Sequence, residues 1–147
     1  MVEITKKGAD AGGIFEGYDL IHVYSRADAI EDGMLLDVTT VARDMGFRYP
    51  TAITHAAWHD CVAWNDADSE RKGIVQDENQ RVRHILARLL IAIRTSGFKD
   101  EDRIFFNVVR VQCDGASKEP QAVMLMSVCG PGDTAEPVIT ISFPGED

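Results

Sequence analysis

Hydrophobic positions repeat with two different periods along this chain, and the change between them divides it. Val82, Ile85, Leu86, Leu89, Leu90 and Ile93 recur at alternating steps of three and one, which puts them on one face of a helix. That stripe predicts an amphipathic helix ended by Ser96-Gly97. Val38, Val41, Ala42 and Met45 follow the same spacing, with Asp37 or Thr39 to cap the start and Gly46 the end. Ile53, Ala57, Cys61 and Trp64 form a third stripe behind Pro50, a residue suited to a first helical turn. Ala56 lies beside that stripe, and Trp58 and Val62 widen it. Ser25, Asp28 and Gly33 mark a two-turn helix further upstream, as N-cap, capping-box partner and stop.

In the last third the period shortens. IFFNVVRVQC, QAVMLMSVCG and PVITISF are β-branched and aromatic runs separated by turn-forming DGASKEP and PGDTAE. They predict an antiparallel meander. LIHVY at residues 20–24 reads as a short strand able to join it, and NDADSERKG as the start of a surface loop reaching Asp77. The expected fold is α+β: three short helices and one longer amphipathic helix packed on a three- to four-stranded antiparallel sheet. Residues 1–13, with three glycines and little apolar content, are expected to form a flexible arm, and residues 14–147 a single domain.

Composition narrows the class. Apolar residues make up 45% of the 147 and charged residues 27%, so a packed core is expected, not disorder. Three cysteines without a close pair argue against a disulfide framework. No secretory h-region and no membrane-length apolar run is visible, so the expected setting is cytoplasmic. The net charge of −9 disfavours nucleic acid as a partner unless positive charge is concentrated locally. It is concentrated between Asn79 and Lys99, which holds Arg81, Arg83, Arg88, Arg94 and Lys99 and no acid.

That segment supplies the first candidate site. Arg81, His84 and Arg88 share a sector expected opposite the apolar stripe, where they can bind an anion, a nucleic acid or an acidic partner. The competing expectation pairs them with Asp66, Asp68, Glu70, Asp77 and Glu78 just upstream. His55 and His59, one helical turn apart, form a candidate metal pair. Ala56 stands where a zincin has its catalytic glutamate, and Cys61 turns to another face of the helix. Cys61, Cys113 and Cys129 read as structural. Asp28, Glu31, Asp32 and Asp37 read as caps and solvated faces. Gly130-Pro131-Gly132-Asp133 lies between strands with no helix after it, so it reads as a hairpin turn and not a phosphate cradle. Ala42 and Gly46 before a following helix also fit a helix-turn-helix, although Arg48, Thr51, Thr54 and His55 leave it little DNA-reading surface.

Several words of the sequence are distinctive together: Val23-Tyr24-Ser25-Arg26-Ala27, Ala29-Ile30-Glu31-Asp32-Gly33, Asp60-Cys61-Val62 with Trp58 and Trp64, and Glu136-Pro137-Val138-Ile139-Thr140-Ile141 after the Gly130–Asp133 turn. In these the chain resembles an uncharacterised family of small proteins from bacteria, phages and plasmids. The resemblance implies a prokaryotic or viral cytosolic setting and brings no catalytic residues; His55 and His59 are not part of it. The resulting expectation is a non-catalytic interaction or accessory protein, acting on a host nucleic-acid enzyme by its acidic charge. The expected partner is a protein, with a homodimer among the options, and no cofactor is expected. A helix-turn-helix regulator is the alternative, and a metal-dependent enzyme using His55 and His59 comes third.

Overall fold

The computed structural model describes residues 23–96 and 103–146. It is α+β, as expected. Five strands, β1 (Leu35–Asp37), β2 (Thr51–Thr54), β3 (Arg103–Arg110), β4 (Gln121–Pro131) and β5 (Pro137–Ser142), form one sheet in the order β1-β2-β5-β4-β3. The helices are α1 (Arg26–Glu31), α2 (Thr39–Asp44), α3 (His55–Cys61), α4 (Asp66–Lys72) and α5 (Glu78–Ser96).

The α5 stripe sets the core. Val82, Ile85, Leu86 and Leu89 are buried against Phe106 and Val108 of β3, Leu125 of β4, and Ile139 and Ile141 of β5. Alternation along β3 then sends Phe105 and Val109 to the opposite face. Local signals close the short helices. Ser25 and Asp28 form the capping box of α1, and Asp133 in the β4–β5 turn accepts from Arg26 N–H at 2.8 Å and Ala27 N–H at 3.0 Å. The turn carboxylate thus docks on the positive end of α1.

Four expectations change. The sheet is mixed, because β2 runs parallel to β5 while the other three strand pairs are antiparallel. The helices α3 to α5 return the chain so that β3 starts in the direction of β2, and two reversals leave β5 in that direction too. Pro50 opens no helix: Thr51–Thr54 is a buried strand, and Thr54 caps α3 with its side chain. The loop expected to reach Asp77 contains α4, with an Asn65–Asp68 capping box and Gly73 in the left-handed region at φ 68°. Val23 and Tyr24 belong to no strand, while the rest of that expected strand, residues 20–22, lies outside the described residues. So do the expected arm at residues 1–13 and the stop at Gly97.

A second small cluster joins the segments on either side of α4 to the chain just after β3. Trp64, Val111 and Cys113 are buried together, with Ala63 and Ile74 against them. Lys72 is 2% exposed, and its Nζ donates to the carbonyls of Gln112 at 2.8 Å, Asp114 at 3.1 Å and Ser117 at 2.6 Å. One ammonium therefore fixes the loop after β3. Lys72→Met keeps the aliphatic stem and orphans three acceptors, so it should lower unfolding free energy by about 3 kcal/mol. Urea unfolding measures this, and an unchanged midpoint would show that water replaces the ammonium.

Candidate functional site

Two clefts are lined in part by α3. The first is a half-open cleft of ≈ 210 Å³ between the start of α5, Cys61, and the end of β3. Arg81 enters it from the first turns of α5 and is only 6% exposed. Its Nε donates to Val62 O at 2.9 Å, its Nη1 donates to Gln76 Oε1 at 3.0 Å, and its Cζ lies 5.0 Å from the centroid of the Trp64 ring. Its Nη2 has no hydrogen-bond partner among the described residues. His84, one turn along, lines the same cleft and is exposed.

Arg110 closes the far wall. Its Nε donates to Asp60 Oδ1 at 2.5 Å, and Gln112 Nε2 donates to Asp60 Oδ2 at 3.1 Å. Burial alone would raise the Asp60 carboxyl pKa. The hydrogen bond and charge of Arg110 outweigh it, with Cys61 and Gln112 adding bonds, and hold the group below its ordinary value. Cys61 is the converse case. Burial first, then the charge of Asp60, pushes its thiol up to about 12. A thiol so placed stays protonated at neutral pH and is a poor nucleophile.

The second cleft, ≈ 410 Å³, is lined by His55, His59, Asp60, Gln112, Cys113, Asp114 and Phe143. His59 Nε2 lies 2.8 Å from Asp114 Oδ2. Ligand-type atoms of His59, Cys113 and Asp114 all fall within 4.8 Å of one another. Among the described residues, those three, on the loop that Lys72 fixes and on α3, are the group placed to hold a zinc-like ion. His55, the expected partner of His59, lines the same cleft but is not among these clustered ligand atoms.

The basic candidates are separated by the fold. Arg81 is turned inward and is not part of an exposed face opposite the stripe, because the Val62–Trp64 segment supplies a carbonyl acceptor and an aromatic face for it. Arg88 reaches across the sheet edge, its Nε donating to Asn107 O of β3 at 3.1 Å. The expected pairing of Arg81 and Arg88 with the acidic segment upstream is not formed among the described residues. The arginine ion pairs found instead among the described residues are Arg71 with Asp68, Arg83 with Asp44, and Arg110 with Asp60. Asp60, Arg110 and Lys72 went unrecognised in the sequence, since their partners lie 40 to 52 residues away.

Residues 12–147 match the model of a family described as a family of unknown function, DUF6573. The chain belongs to this family. No curated protein and no solved structure matches it. Membership covers both clefts and carries no assigned chemistry. No helix among the described residues is long and apolar enough to cross a membrane.

The Asp60–Arg110 pair gives the site a pH dependence. Because the folded-state pKa of Asp60 is depressed, its contribution is complete above the unfolded value of about 4 and is lost as pH falls through the folded value. Asp60→Asn should cost about 2 kcal/mol at neutral pH, where a charged hydrogen bond is lost. It should also flatten the acid-side fall in stability. Denaturant titrations at neutral and acid pH test both, and parallel wild-type and variant curves would discard the assignment.

Proposed function

We propose that this protein works by binding a protein partner, and that the face of β3 and β4 turned away from α5 is its docking surface. One observation carries the reading. Phe105, Val109 and Met124 are exposed large apolar side chains, at 53%, 51% and 46%. Met124 pairs with Asn107, whose neighbours two positions away on the same face are Phe105 and Val109. The three side chains therefore form one patch at the β3 edge of the sheet. Soluble monomers seldom leave such a group uncovered without use.

The net charge of −9 steers such a surface toward a basic partner. A host nucleic-acid enzyme meets that description, and a cytoplasmic accessory role for a bacterium or mobile element is consistent with it. A helix-turn-helix regulator is less well supported, because β2 stands between α2 and α3 where that motif needs a tight turn. An enzyme is less well supported too, since Cys61 is a poor nucleophile and Asp60 is engaged by Arg110.

Double substitution Phe105→Glu with Met124→Glu should leave the melting temperature nearly unchanged and weaken partner capture roughly 30-fold, as loss of a central anchor does. Crosslinking in lysate of the source cell, beside sedimentation of the purified chain, reads both hetero- and self-association. Equal capture by wild type and variant, with wild type monomeric, would refute the docking surface.

A further inference from the structure

We infer that the cleft beside Arg81 is a binding site for a small oxyanion, a carboxylate or phosphate group seated across the two terminal nitrogens of the guanidinium. Arg81 is more than nine-tenths buried and carries its charge at every physiological pH. A buried charge is ordinarily matched by an opposite one, because leaving it uncompensated is costly. Arg81 has no carboxylate within ion-pair distance among the described residues. It has a backbone carbonyl at Nε, a neutral amide oxygen at Nη1, the Trp64 ring near its guanidinium, and nothing at Nη2.

This arrangement separates two roles. The Val62 carbonyl and the Trp64 ring anchor Arg81 as a strut, and a strut needs no more than Nε and the flat face. The Nη1 and Nη2 end is the fork that recognises planar oxyanions in a two-pronged manner. Gln76 Oε1 stands on one prong as a placeholder, and the other prong is buried without a hydrogen-bond partner among the described residues. Gln76 belongs to the segment between α4 and α5, outside any helix or strand, so it can yield more readily than a core group.

The rest of the lining agrees. Gln80 and His84 bring further polar side chains to the cleft, and Arg110 adds a second guanidinium already balanced by Asp60. Asp77 is the one acidic residue in the lining and sets a limit on affinity. A volume of ≈ 210 Å³, room for about seven waters at ~30 Å³ each, holds a small acid group together with some of its hydration.

Phosphate and acetate, each titrated against a chloride control of equal ionic strength, are the probes. Thermal shift and the Arg81 Nε–H resonance are the readouts. One or both anions should raise the melting temperature saturably and move that resonance, and whichever does so names the phosphate or carboxylate class. Arg81→Met should remove the response. Gln76→Ala, which clears the placeholder and leaves the core intact, should retain it and tighten binding, by roughly tenfold if one charged hydrogen bond is gained. The proposal fails if neither anion gives a saturable response in the wild type, or if Arg81→Met responds as the wild type does. Should Arg81→Met not fold, the Gln76→Ala comparison decides: unchanged or weaker binding overturns it.

Discussion

The burial of one helical stripe is the constraint on which the rest of this structure depends. Val82, Ile85, Leu86 and Leu89 must face the sheet, and their side chains are 3% exposed or less. At roughly 2 kcal/mol for each fully buried aliphatic side chain, the four together are a strong local driving force. It fixes the rotation of α5. With Val82 at the core, Arg81 beside it turns under the Val62–Trp64 segment, which offers it a carbonyl and an aromatic face. Arg88, two turns on, is carried to the edge of β3 by the same rotation. A sector that looks basic and solvated on a helical wheel becomes one buried arginine and one edge-bound arginine.

The same constraint shapes the sheet. Among the described residues the long helix covers one face of β3, β4 and β5, and β3 is left at the edge. Phe106 and Val108 are buried by it, so strict alternation leaves Phe105 and Val109 outward. Arg88 donating to Asn107 O blunts the edge itself, a device that discourages strand pairing. The face is therefore a better candidate for contact than the edge, which is why a side-chain patch, and not strand addition, carries the functional reading.

How much of this was legible depended on whether the governing interactions were local. The stripe of α5 and the three long strands were readable because each repeats its own period over many residues. The strand β2 was hidden because Thr51–Thr54 is only four residues long and Ile53 falls in phase with Ala57 and Cys61 of α3, so one helix seemed to begin at Pro50. The helix α4 was hidden by its polarity, although Asn65, Asp68 and Gly73 spelled its caps. The candidate sites were legible only in part. Arg81, His84, His55 and His59 stood out by type, but what surrounds them did not. Asp60 meets Arg110 across 50 residues and Lys72 meets the loop after β3 across 40 to 45. No spacing rule connects residues that only the folded sheet brings together.

The two clefts are linked through α3. His59, Asp60 and Cys61 are consecutive, yet their side chains serve different places. His59 faces the second cleft, Asp60 neutralises Arg110, and Cys61 lines the first. A helix turns about 100° per residue, so three neighbours must serve three directions. Asp60 is the member that cannot be exchanged cheaply. Without it Arg110, with a side chain only 9% exposed, becomes a second unbalanced guanidinium beside Arg81. The Asp60–Arg110 pair therefore does more than fasten α3 to β3. It leaves Arg81 as the one arginine in that cleft whose charge is unmatched, so any anion entering meets a single defined fork and not a diffuse basic wall.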